Sequence, residues 1–358
     1  MSRVVLSGYY GFKNLGDEAV LAATAGELRR RCPGVEITVL SASPAETSRL
    51  HGVRGVSRRN PGEILRVLRG CDLFLSGGGS LFQDATSWRS PWYYLSILAL
   101  ARRLARRTAV YAQGIEPFRR ASTRKAVSFL LNQVDLVTVR DAASQAVLAE
   151  IGVRRPRVVL SADPSLLLTP EWSASAEAEK AGWGDGVVFG LALRQWGRGE
   201  AVRAAADAAR IIAARRGVKW VLLPMHLPGD LAVAETLAAH IGPGAIVLRT
   251  PMGPREMLAL VGSLDLLVGM RLHALLFAAA QGVPIVPLAY DPKVEALARD
   301  LGESVPVHAA RLSSRDLARS IEAAADDRTR RRAHLLAAVG VLRERAMLAP
   351  RLAVDLLQ

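Results

Sequence analysis

The chain has 358 residues, half of them hydrophobic, enough to build two domains with separate cores. Its two cysteines, Cys32 and Cys71, form neither a metal-ligand spacing nor a disulfide framework, which excludes a disulfide scaffold and suits a reducing compartment. A formal charge of +14 is carried mostly by arginine, in patches such as "ARRLARR" and "RTRRRAH"; it fits phosphorylated substrates or anionic lipid headgroups, and an arginine-rich genome, with no function attached, is the plainer alternative for part of it.

No nucleic-acid signature and no regular aromatic–basic interleaving accompanies the charge, so nucleic acid is not an expected partner. The chain runs from Met1-Ser2-Arg3 straight into "VVLSGYYG", and a signal peptide is not expected. The longest nearly uncharged stretch, 272–290, contains His273, Gln281, Gly282, Pro284 and Pro287, and reads as a buried helix followed by a buried strand rather than a membrane span. The expectation is a cytoplasmic protein, with peripheral contact to the anionic inner membrane leaflet as the use of its charge.

In chain order, strand-like runs fall at 3–8, 35–40, 71–79, 108–114, 135–140 and 157–165, and 17–31, 91–106 and 122–133 carry apolar residues at helical spacing between them. The stretch "TPEWSASAEAEKAGWGDG" (169–186) is rich in small and polar residues and reads as a connection. Alternation resumes at 187–194, 218–224, 245–249, 265–271 and 283–290, and a helical, arginine-rich tail follows from Ser313. This predicts an α/β protein of two Rossmann-like parallel-sheet domains, 1–168 and 187–358, with 169–186 as linker. The default site is the cleft between them, lined by residues just past the carboxyl ends of the strands.

That rule selects the candidates. The loop "GYYGFKNLGDEAVL" (8–21) allows close backbone approach; Asn14 and Asp17 either cap the helix that follows or bind sugar hydroxyls. The loop is not a GxGxxG fingerprint. Gly77, Gly78, Gly79 and Ser80 form either a plain turn or a cradle for phosphate or carboxylate. Arg140 ends "VTVR", with Asp141 placed to cap the next helix, and Arg194 ends "GLALR" at the matching position of the second half. Either arginine suits a planar anion, and a surface ion pair is the plainer alternative. In "GMRLH", Arg271 precedes His273, the best acid/base candidate of the six histidines. His226 in "LPMHLPGD" is second, with Asp230 nearby, and Lys293 follows "YDP". The aromatic group Trp88, Trp92, Tyr93, Tyr94 packs, stacks on a sugar or touches lipid. No residue pattern forms a metal site.

The ordered set "GYYGFKNLGDEAVL", "LSGGGSLFQD", "YAQGIEPF", "VTVRD", "ADPSL" and "GMRLHALLFAAAQGVPIVPLAYDPK" resembles the polysaccharide pyruvyltransferases, in particular the CsaB type of bacterial cell walls. The pieces occur in order over most of residues 4–300. The resemblance implies a GT-B-like fold with the acceptor on the N-terminal side and the donor phosphoenolpyruvate (PEP) on the C-terminal side. It also implies transfer of pyruvate, as a cyclic ketal, to N-acetylmannosamine of a lipid-linked secondary cell-wall polymer precursor, the product later anchoring surface-layer proteins. By the family's pattern Arg140, His273 and Lys293 are the functional basic residues, with no cofactor beyond PEP as donor. PEP carries a phosphate and a carboxylate, so cations and backbone donors must converge on it, and Arg140, Arg271, Lys293 and Arg194 are available. A nucleotide-sugar glycosyltransferase of the same fold remains the alternative, since fold alone does not fix function. A non-catalytic binder driven by charge is a further one.

Overall fold

The computed structural model describes residues 2–84, 87–197, 199–303 and 307–358. Two compact units divide it, residues 1–168 with 342–358 and residues 169–341.

In the first unit the strands are β1 (Arg3–Ser7), β2 (Glu36–Ser41), β3 (Arg54–Ser57), β4 (Leu73–Gly77), β5 (Arg107–Gln113), β6 (Leu136–Val139) and β7 (Arg157–Leu160). They form one parallel sheet in the order β3-β2-β1-β4-β5-β6-β7. Successive side chains of a strand point to opposite faces, and here both faces are apolar. Val4 and Leu6 join one core with Val39, Leu73 and Leu75, while Val5 joins the other with Leu40, Phe74 and Val137. Helix Leu15–Arg31 covers the first face through Leu21, Ala25 and Leu28. The second is covered by Ile64 and Leu68 of helix Pro61–Arg69, by Leu95 and Leu98 of helix Arg89–Leu104, and by Val127 and Leu131 of helix Ala121–Leu131.

The first face is completed from the far end of the chain. Helix Leu348–Asp355 places Ala349, Ala353 and Val354 in that core. The tail, expected with the C-terminal domain, therefore divides: its last residues belong to the first unit's core. Helical periodicity announces an apolar stripe but not which sheet receives it.

The second unit repeats the wiring with β8 (Val188–Ala192), β9 (Lys219–Leu222), β10 (Ala245–Val247), β11 (Leu266–Gly269), β12 (Ile285–Ala289) and β13 (Val307–His308), ordered β10-β9-β8-β11-β12-β13. Phe189, Leu191, Trp220, Val268 and Leu288 meet Ala205 and Ile212 of helix Glu200–Arg216 and Leu317 and Ile321 of helix Ser314–Asp326. The stretch read as a connection, 169–186, holds a helix, Ala174–Gly182, whose N-cap Ser173 accepts from the Ala176 amide. Alanine, glutamate and lysine favour helix even where small and polar residues suggest a linker. This helix belongs to the second unit, where it meets helix Pro254–Val261.

In each sheet the strand order reverses at one place, between β1 and β4 and between β8 and β11. Loops leaving the two central strands there diverge to opposite sides and open a crevice at the carboxyl edge.

Candidate active site

In the first unit the crevice is built by backbone. Tyr10 folds back under the loop after β1 and donates its hydroxyl to the Gly77 carbonyl at 2.8 Å. Burial, together with the Asp17 and Glu18 carboxylates, holds its phenol well above the usual tyrosine range, so it remains a protonated donor. Glu18 accepts from the Gly11 amide at 2.8 Å and lies 2.7 Å from His51 Nε2, a buried pair that fixes the loop from below. Asn14 caps helix Leu15–Arg31 by accepting from the Gly16 amide.

Beyond β4, Gly78 and Gly79 have φ of +88° and +73°, which L side chains rarely adopt. A Cβ at residue 79 would lie 2.7 Å from Asp17 Oδ1, so the glycine run passes directly over that buried carboxylate. The glycines thus serve a close approach as well as a turn. The exit of β5 is irregular too: its register to β6 shifts at Val110/Gln113, and Ala112 takes φ of +45° while its amide donates to Thr138 Oγ1. The shift turns Gln113 toward the glycine loop, where its Oε1 accepts from the Leu81 amide.

Arg140 is buried, with only 7% of its surface exposed. Nη1 donates to Asp163 Oδ2 at 3.2 Å, Nε lies 3.7 Å from Asp141 Oδ2, and Nη2 reaches Ser80 Oγ at 3.4 Å. Asp141 also caps the next helix, accepting from the Ser144 amide. Gly114 lets the guanidinium through, since a Cβ there would lie 2.7 Å from Nη2. Arg140 is therefore a cross-link joining the exits of β4, β6 and β7.

The second unit's crevice is built by side chains. Arg271, just past β11, forks onto Asp230 through Nε (2.8 Å) and Nη2. Asp230, buried at the start of helix Gly229–Ile241, also accepts from the Met225 and His226 amides at 3.1 and 3.0 Å. This fastens the loop carrying His226, whose ring is half-buried. His273 stands in the first turn of helix Leu272–Ala280, with Nε2 shielded from solvent.

Arg194 and Lys293 are arranged differently. Arg194, past β8, donates from Nη1 to the Tyr290 hydroxyl at 3.3 Å, with its guanidinium carbon 5.3 Å from the ring centre. Lys293, past β12, puts Nζ 5.9 Å from the same ring and 2.9 Å from Asp291 Oδ2. Two half-buried cations thus share one tyrosine at the carboxyl edge of β8 and β12, on either side of the strand leading to Arg271 and His273. Such a group can receive an anion with two negative ends.

The structure thus distributes the sequence candidates over two crevices. Asn14, Asp17, Gly77, Gly78, Gly79, Ser80 and Arg140 gather in the first unit; Arg194, His226, Arg271, His273 and Lys293 gather in the second. Sequence reasoning missed Tyr290 and Asp163, although both lie inside the motifs "AYDPK" and "ADPSL"; chain spacing does not reveal that each meets an arginine from another strand. Among the described residues, no group of three or more His, Cys, Asp or Glu side chains is placed to hold a metal ion. No helix among them is long and apolar enough to cross a membrane.

The family model for polysaccharide pyruvyl transferases matches residues 14–292. The chain belongs to that family. The match takes in both crevices, and Lys293 stands one residue past its end. No curated protein matches the chain. Solved structures do: a Staphylococcus aureus MnaA–UDP complex (12% identity, 95% of this chain and 91% of that one, TM-score 0.68), Anabaena Alr3699/HepE with UDP-glucose (14%, 99% and 99%, 0.66), and the UDP-GlcNAc 2-epimerase of Neisseria meningitidis with UDP-GlcNAc (11%, 99% and 99%, 0.65). At these identities the likeness is one of fold, and it is the two-Rossmann-unit GT-B class. This polysaccharide pyruvyl transferase therefore takes its chemistry from the residues in its crevices, not from its neighbours' ligands.

Proposed function

We propose that the protein transfers the pyruvyl group of PEP to a sugar of a lipid-linked cell-wall polysaccharide precursor, forming a cyclic ketal and releasing phosphate. N-acetylmannosamine of a secondary cell-wall polymer, the CsaB-type acceptor, is the sugar we put forward. The observation that carries this reading is the Arg194–Tyr290–Lys293 group, at the exits of the two strands flanking the one that leads to His273, in a chain of the pyruvyl transferase family. Arg194 and Lys293 take the phosphate and carboxylate of PEP, each bond charge-assisted.

The chemistry balances with few parts. One sugar hydroxyl adds to C2 of PEP while the methylene C3 takes up a proton and becomes the methyl group. A second hydroxyl then displaces phosphate at C2, and its proton leaves with the phosphate. His273 handles one of these protons, help worth on the order of 10²–10⁴ in rate. Whichever of Arg194 and Lys293 holds the phosphate stabilises its charge as it leaves. Arg271 positions the site through Asp230, and Arg140 holds Ser80 and the glycine loop, where the acceptor's hydroxyls are bound along with Asn14 and Asp17.

The test is phosphate release from PEP, with and without a synthetic aryl or lipid-linked disaccharide carrying N-acetylmannosamine. Release that requires the acceptor, with one pyruvyl unit gained by mass, is the expected result. Consumption of a nucleotide sugar with PEP untouched replaces this reading with glycosyl transfer.

A further inference from the structure

The aromatic stretch 88–94, one group in the sequence, is split by the fold. Tyr94 is buried and donates its hydroxyl to the Gly8 carbonyl; Tyr93 is half-buried and donates to the Arg58 carbonyl at 3.0 Å. Trp88 and Trp92 are left 55% and 39% exposed, one helical turn apart where helix Arg89–Leu104 begins. Packing accounts for the tyrosines and not for the indoles.

Charge surrounds the two indoles. The Arg58 guanidinium lies 4.0 Å from the Tyr93 ring centre, 4.9 Å from Phe12 and 5.4 Å from Tyr94. Arg89 lies 5.3 Å from the Trp88 ring, and Arg59 beside Arg58 is exposed. Rings back the Arg58 and Arg89 charges, which leaves their outer edges to face an anion. Tryptophan is favoured where water meets lipid, with an apolar body and a polar N–H, and arginine beside it finds headgroup phosphates. The place also matters. Arg58 and Arg59 follow β3, and Trp88 follows the loop leaving β4, so the patch sits at the same carboxyl edge as the glycine run.

We propose that Trp88 and Trp92, with Arg58, Arg59 and Arg89, dock the first unit on an anionic lipid bilayer, the indoles entering the interface and the arginines binding headgroup phosphates. The purpose of the docking, delivery of a lipid-linked acceptor, rests on the pyruvyl-transfer reading; the docking itself does not. The chain's net charge of +14 favours this surface over a neutral one.

The test uses the full chain and vesicles of phosphatidylcholine with or without phosphatidylglycerol. Wild type sediments with the anionic vesicles at low salt, releases as salt rises, and shows a blue shift of tryptophan emission. Trp88→Ala/Trp92→Ala weakens sedimentation roughly tenfold or more by removing the inserted area. Arg89→Glu weakens it too, while both variants keep wild-type turnover on a soluble aryl disaccharide. Phe129, 69% exposed at the opposite edge of the sheet beside Arg102, Arg154 and Arg155, supplies the control: Phe129→Ala leaves sedimentation unchanged. Equal sedimentation of wild type and the double variant overturns the proposal, as does absence of vesicle binding by wild type or its loss in Phe129→Ala. A raised KM for the soluble disaccharide in the double variant also overturns it, making the indoles a sugar platform. Vesicle binding without turnover on any acceptor leaves the docking standing and removes the pyruvyl-transfer reading instead.

Discussion

The two crevices share a strand order and differ in how they hold cations. In the first unit Arg140 is locked among Asp163, Asp141 and Ser80, and the crevice beside it is walled by glycine backbone. In the second, Arg271 is locked in the same way by Asp230, yet Arg194 and Lys293 rest against Tyr290 and stay half-exposed. Arginine at a strand exit therefore has two uses. Facing a buried carboxylate it is a structural tie; facing an aromatic ring it keeps charge available for an anion. The local sequence does not separate the two, because Arg140 and Arg194 each end a short apolar strand run, although β6 lies near the edge of its sheet and β8 at the centre of its own.

Substitutions can break this contrast, and the largest effect is on rate. His273→Ala lowers kcat by on the order of 10²–10⁴, while circular dichroism melting moves by no more than about 3 °C. Wild-type turnover in that variant removes His273 from the chemistry.

Next come the locked arginines. Asp163→Ala takes the nearest carboxylate from buried Arg140, and Asp230→Ala takes the carboxylate that partly buried Arg271 and two backbone amides share; each is expected to cost about 1.5–3 kcal/mol in urea denaturation. Lys293→Ala disturbs only a partly exposed ion pair and is expected to cost about 1 kcal/mol or less while abolishing most turnover. Equal stability losses in all three variants would erase the distinction between tie and ligand.

The glycine loop sharpens the first unit's side. Gly79→Ala forces a side chain into the left-handed region and against Asp17, and is expected to cost about 1–2 kcal/mol. The KM for acceptor should rise with little change in PEP binding; a change confined to PEP binding would assign the loop to the donor instead.

The last expectation is a pH dependence. Burial by itself raises the Asp84 carboxyl, but the Arg119 and Arg120 amides, the Thr123 hydroxyl and the Arg120 charge outweigh it and hold Asp84 below the usual carboxylate range. Its contribution is complete above the ordinary carboxylate pKa and is lost as pH falls through the lowered one. Asp84→Asn is therefore expected to cost about 1–2 kcal/mol at neutral pH, with the gap to wild type closing in acid. A gap that stays constant in acid would mean that the amides bind asparagine as well as aspartate.

Much of this fold was readable from strand–helix alternation, since strands buried on both faces are continuous apolar runs. The strands that escaped notice are edges: β3 is "RGVS", half-exposed and containing Gly55 pressed on Pro44, and β13 has two residues. Strand exits were legible because polar residues end apolar runs. What each exit residue does was not, because Asp163 is 23 positions from Arg140 and Asp230 is 41 from Arg271. Tyr290 stands 96 from Arg194, and only the folded sheet brings such pairs together.

The most direct measurement is PEP binding by titration calorimetry on wild type, Arg194→Gln and Lys293→Gln. Wild type is expected to bind PEP, and each substitution to weaken binding about tenfold or more, through loss of a charge-assisted bond. Unchanged PEP affinity in both variants would contradict this, and would place the donor away from Tyr290.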